Sequence, residues 1–85
     1  MEKKLDHSFC TKFRQELQSY GLKQIIRDLL VSTSEKVPLR KQYLARECKK
    51  NSFRTQFVSV CNELKEDRSI RPAVILMQNE IVPAS

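Results

Sequence analysis

Glycine occurs once and proline three times among these 85 residues. Tight hairpins draw on glycine and Asn-Gly pairs, so a hairpin-rich fold is excluded and helices are expected. Histidine also occurs once, and the three cysteines, Cys10, Cys48 and Cys61, form no C-x-x-C pair. That odd count and spacing speak against a disulfide framework and a zinc site, and no metal or cofactor is expected. The longest apolar run, "AVILM" at residues 73–77, is far too short to span a bilayer. The charged start "MEKKLDHSF" has no apolar stretch, so neither a signal peptide nor a membrane partner is expected. There is no phosphate-cradling glycine loop, no H-E-x-x-H and no paired carboxylates in an apolar setting. Asp6, His7 and Cys10 lie close together, but nucleophilic catalysis needs a base held inside a pocket. An enzyme is not expected.

What is present describes one small folded domain. A chain of this length buries about 60–65% of its unfolded surface, so the core is marginal. A hydrophobic share of 40% is still too high for a disordered chain. The cysteines fall on or beside apolar stripes and read as small buried hydrophobes. Free buried thiols fit a reducing compartment, so an intracellular location, nucleus or cytoplasm, is expected.

Periodicity divides the chain into five segments. Leu5, Phe9, Phe13, Leu17 and Tyr20 share one face of a first helix, which Gly21 stops in a left-handed conformation with Leu22 as the contact beyond it. Leu22, Ile25, Ile26, Leu29 and Leu30 form the cleanest stripe, fading in the polar loop "STSEK". Pro38 suits the first turn of a third helix and pushes Val37 toward an extended conformation. The apolar residues of this helix are spread around its wheel, as expected of an element between two neighbours. Asn51 or Ser52 is placed to cap a fourth helix, whose stripe is Phe53, Phe57, Val60, Cys61 and Leu64. The fifth segment, "SIRPAVILMQNEIVPAS", fits either a helix from Pro72 or a strand over its β-branched run.

Charge is concentrated between residues 40 and 54. Arg40, Lys41, Arg46, Lys49, Lys50 and Arg54 are opposed there only by Glu47, leaving net +5 of the whole chain's +6. Such a cluster is either a solvated face or an anion-binding one. Its location at a helix, a turn and the entry of a capped, polar-faced helix favours nucleic acid, where phosphate neutralisation dominates affinity. Arg40, Lys41, Arg46, Lys49 and Lys50 are then the phosphate contacts. Arg54, Thr55, Ser59 and Asn62, on the outer side of the fourth helix, are candidates for reading bases. Val58 is an apolar residue on that same outer side.

"YLAREC" and "NSFRTQFVSVCNELKEDRSI" resemble the second and third helices of the winged helix-turn-helix superfamily. Lys49 stands where that superfamily often has a glycine. The resemblance implies helix, short extended "VPL", helix, turn, helix, and a wing strand opening at Ile70. "LKQIIRDLLVSTSEKVPL" is similar to the opening of LOTUS domains, a variant that binds structured RNA or docks a DEAD-box helicase. Beyond Leu39 that likeness ends.

The expected fold is therefore mostly α: a small winged-helix-like domain with an extra N-terminal helix and a short C-terminal strand or helix. One domain covers residues 1–85, with the extra helix over 5–20, the core over 22–77 and a tail over 78–85. The expected partner is nucleic acid, duplex DNA ahead of RNA. The helix over residues 5–20 covers the core by default, or else makes a homodimer. The alternative is a protein-interaction module: an adaptor, a helicase-docking LOTUS-like domain or a viral helical bundle, meeting an acidic or apolar partner surface.

Overall fold

The computed structural model describes residues 4–83. Five helices follow in order: α1 (His7–Tyr20), α2 (Leu22–Val31), α3 (Val37–Glu47), α4 (Asn51–Leu64) and α5 (Arg71–Ile81). No strand occurs among the described residues, and no helix there is long and apolar enough to cross a membrane.

Each junction has a local cause. Asp6 caps α1 by accepting from the Phe9 N–H at 2.7 Å. Gly21 ends α1 and begins α2 at once, with φ 86° and ψ 156°. The positive φ was expected, but that ψ lies in the extended mirror region that glycine alone visits readily, not in the left-handed helical one. The polar residues after α2 fold on themselves: the Ser34 N–H donates to the Ser32 hydroxyl, and the Lys36 N–H to the Ser34 hydroxyl. Between α4 and α5, Asp67 accepts from both the hydroxyl and the N–H of Ser69 at 2.7 and 2.9 Å. Those bonds, the hydroxyl first, hold the Asp67 carboxyl below the usual carboxylate range.

The core draws on all five helices. Phe13 from α1, Ile26 from α2, Leu44 from α3, Phe57 and Cys61 from α4, and Val74 from α5 are all buried. Tyr43 of α3 is edge-on to Phe13 of α1 (centroids 5.2 Å apart), and α3 also packs against α5. This accounts for the spread of apolar residues around its wheel. The cover function expected of α1 is present: Cys10 and Phe13 are buried, and Phe9 and Leu17 pack at the edge of the core.

Five sequence expectations are corrected or resolved. Val37 is the first residue of α3 rather than extended, because a turn bond from its N–H to the Ser34 carbonyl (3.1 Å) leads the chain into the helix. Asn51 and Ser52 do not cap α4: Lys50 holds the cap position, and the Asn51 side chain is engaged elsewhere. Residues 70–82, open between strand and helix, hold α5, with Pro72 in its first turn and Val74, Met77 and Ile81 buried at helical spacing. Where the resemblance implied a wing strand opening at Ile70, that residue is the N-cap of α5. Residues 78–81, expected in the tail, form the last turn of α5 and carry buried Ile81, while residues 1–3 and 84–85 of the expected domain and tail lie outside the described residues.

A domain of this size has roughly 4–13 kcal/mol of stability at typical values per residue. A Phe57→Ala cavity, at about 3–5 kcal/mol, consumes much of that. Gly21 is a milder probe, since a Cβ there meets no atom within 4 Å and only the backbone is strained. Gly21→Ala is expected to cost about 1–3 kcal/mol, read as a lower urea midpoint at unchanged slope.

Burial pushes the Cys48 and Cys61 thiols up to about 11. In the unfolded chain they ionise near pH 9, so their contribution to stability is complete below pH 9 and is lost as pH rises from there through about 11. Urea midpoints from pH 7 to 11 should fall over that window, and fall less in Cys48→Ala.

Candidate nucleic-acid interface

The basic segment folds into α3 from Arg40 onward, a three-residue connection (Cys48, Lys49 and Lys50) and the first turn of α4. The connection stays helical in its bonding at first. Cys48, Lys49 and Lys50 donate their N–H groups to the carbonyls of Leu44, Arg46 and Glu47. Lys50 then turns extended, at φ −81° and ψ 126°, and α4 starts.

Arg54 fastens this corner. Its guanidinium donates to the Cys48 carbonyl at 3.2 Å and to Asn51 Oδ1 at 2.8 Å. One side chain thus satisfies a carbonyl at the end of α3 and holds Asn51 at the start of α4. The first turn of α4 has neither a side-chain cap nor an acidic residue. A helix N-terminus is already partially positive, so Lys49 and Lys50 beside it, with Arg54 one turn in, are like charges gathered at one point. The nearest counter-charge is Glu47, whose carboxylate is 3.5 Å from the Lys50 ammonium.

The cations expected to act together divide into groups. Lys49 and Lys50 are exposed at the corner. Among the described residues Lys49 has no ion pair or side-chain hydrogen bond. Arg46 is exposed, with its guanidinium 5.3 Å from the Tyr43 ring centroid and Nη2 donating to Cys10 Sγ at 3.4 Å. Arg40 turns toward α1, 5.9 Å over the Phe13 ring and 4.0 Å from Glu16. Lys41 turns toward α5 and meets Glu80 at 2.9 Å. Partly exposed pairs of this kind contribute about 0.2–1 kcal/mol, so they detain Arg40 and Lys41 only weakly.

On α4, Thr55, Ser59 and Asn62 are exposed along the outer side, as their spacing implied. Thr55 donates back to the Asn51 carbonyl at 2.9 Å, and Asn62 accepts from Lys65 at 3.3 Å. Val58 is half-buried rather than fully outward.

Sequence reasoning missed Arg14. It sits on exposed α1, and its Nε donates to the Tyr43 hydroxyl at 3.2 Å across 29 residues of chain. That bond raises its pKa further above the ordinary arginine value. No spacing rule joins two helices that far apart, so nothing in the linear sequence signals the contact.

The remaining features bring no chemistry together. Asp6 is spent on its cap, His7 is exposed and Cys10 is buried. No cluster of His, Cys, Asp or Glu that could hold a metal occurs among the described residues. A groove of about 470 Å³ lies at the other end of α3 between Tyr20, Ile25, Leu29, Val31 and Arg40. No protein-family model, curated protein or solved structure matches this chain.

The Arg54 fastening can be tested directly. Arg54→Gln leaves the Cys48 carbonyl without this donor and is expected to cost about 1 kcal/mol in thermal or urea unfolding. Asn51→Ala, which removes only the exposed half, should cost less.

Proposed function

We propose that this chain is a small basic helix-turn-helix domain, keeping the helices of a winged-helix-like organisation without its wing strand, that binds the backbone of nucleic acid, duplex DNA ahead of RNA. One observation carries the reading: Lys49, Lys50 and Arg54 crowd the uncapped N-terminus of α4 with no acid in its first turn. Each cation at that end opposes a macrodipole interaction of about 0.3–1 kcal/mol. A phosphate at the same point reverses the sign, because both the helix amides and the lysines attract it.

In this function Lys49, Lys50 and Arg46 contact phosphates directly. Arg40 and Lys41 reach flanking phosphates by releasing Glu16 and Glu80. Arg54 acts mainly by holding the corner rigid. Thr55, Ser59 and Asn62 face base edges, where hydroxyl and amide groups discriminate by hydrogen bonding. With α5 following α4 in place of a wing strand, base contact rests on α4 alone. The role is binding rather than catalysis.

Fluorescence anisotropy with labelled duplex DNA and RNA across a salt series tests this. Binding at low salt should weaken linearly on a log–log plot and disappear in the Lys49→Glu, Lys50→Glu double variant. Ser59→Ala with Asn62→Ala should change preference among sequences and leave the salt slope alone. Absence of binding by the unaltered protein at low salt, or indifference to the double variant, would refute the function.

A second reading is favoured by α5, where Leu76 is 66% and Ile75 41% exposed. An apolar helix face of this kind suits a protein partner. Leu76→Glu that abolishes a nuclease-resistant pull-down, with DNA binding intact, is the outcome expected if that face is used.

A further inference from the structure

Two arginines from different helices converge on one side chain. Arg14 of α1 donates from Nε to the Tyr43 hydroxyl at 3.2 Å, and Arg46 of α3 lies 5.3 Å over the Tyr43 ring. Tyr43 is itself buried and held edge-on by Phe13, so both guanidinium groups rest on a fixed support. Both arginines are exposed, and neither has a carboxylate within 4.0 Å among the described residues. Glu47 acts on Arg14 through space, and it is shared with Lys50 at 3.5 Å. A guanidinium has five N–H donors. Arg14 uses Nε on the tyrosine, which leaves the four donors of its two Nη groups. Arg46 commits one Nη2 donor to a weak acceptor, Cys10 Sγ.

We propose that Arg14 and Arg46 form a phosphate clamp, through which α1 joins the nucleic-acid interface. The ligand is a phosphate of the nucleic-acid backbone, gripped by planar guanidinium forks that match its oxygens. Tyr43 is the positioning residue. Polymer is favoured over free phosphate because the clamp does not stand alone. Arg46 lies three and four residues before Lys49 and Lys50, so the cations run from α1 across α3 to the corner and engage several phosphates in succession. The clamp rests on the nucleic-acid function proposed above.

The experiment is a salt series of anisotropy titrations with one labelled duplex DNA. Each phosphate contact contributes about 0.9 to the slope of log affinity against log salt. Arg14→Gln and Arg46→Gln should each make the slope shallower by about that amount and weaken binding severalfold. Lys12→Gln removes the same charge from another exposed position on α1 and should leave the slope unchanged. Arg14→Lys keeps the charge without the fork; it should keep the slope but lose affinity, and it serves if Arg14→Gln fails to fold. Tyr43→Phe removes only the hydroxyl and should lower affinity at constant slope.

The outcomes separate cleanly. If Arg14→Gln matches the unaltered protein while Lys49→Gln with Lys50→Gln weakens binding, the clamp is wrong and the nucleic-acid function stands. If Lys12→Gln lowers the slope as much as Arg14→Gln, the effect is general charge and the clamp is again wrong. If inorganic phosphate competes at concentrations where chloride of equal ionic strength does not, free phosphate is the ligand and the polymer assignment falls. If the unaltered protein binds no duplex at low salt, the function itself fails and takes the clamp with it.

Discussion

The contact between Tyr43 and α1 fixes the arrangement of the first and third helices. A tyrosine buried this deeply needs a partner for its hydroxyl, since an unsatisfied one forfeits about 1–3 kcal/mol. Arg14 supplies that partner from the surface, and Phe13 meets the ring edge-on from the neighbouring position of α1. Apolar packing and a polar tether therefore come from adjacent residues and act on one ring. Because Tyr43 lies one turn before the end of α3, whatever seats it also sets the direction of the corner between α3 and α4.

Folding redistributes a charge cluster that looks uniform in the sequence. Successive residues on a helix point about 100° apart, so Arg40 and Lys41 cannot share a face. One flanks α1 and the other α5, each beside an acid. Arg54 is withdrawn into the corner and bonded twice. The exposed positive surface is therefore smaller than the segment's net charge suggests, and it is centred on Arg46, Lys49 and Lys50. Folding also adds Arg14, a cation from outside the segment.

The helices were legible because period is a local property. The stripes through Leu22–Val31 and around Phe57 and Cys61 predicted their buried faces. The last segment was not legible, because β-branched residues and a helix-starting Pro72 point in opposite directions. Its burial against α3 and α4 accompanies the helical outcome. Val37 and Asn51 were misread for a related reason. Each has a strong local preference that a nearby bond overrides, from Ser34 in one case and Arg54 in the other. The positions of the basic side chains were the least legible, since each depends on a neighbour from another helix.

Gly21 bears on the tolerance of the chain to changes in length. It is the whole of the link between α1 and α2, so the two helices have no slack between them. An inserted residue there either turns α2 by about 100°, carrying Ile25, Ile26 and Leu29 out of the core, or breaks α1 where Leu17 receives the Gly21 N–H. The other end of α2 behaves differently. Residues 32–36 are mostly exposed and form a polar loop held by short-range turn bonds, so extra residues there lengthen a loop at little cost. Variation in chain length is therefore confined to one side of α2, where a longer loop leaves the Tyr43 contact between α1 and α3 in place.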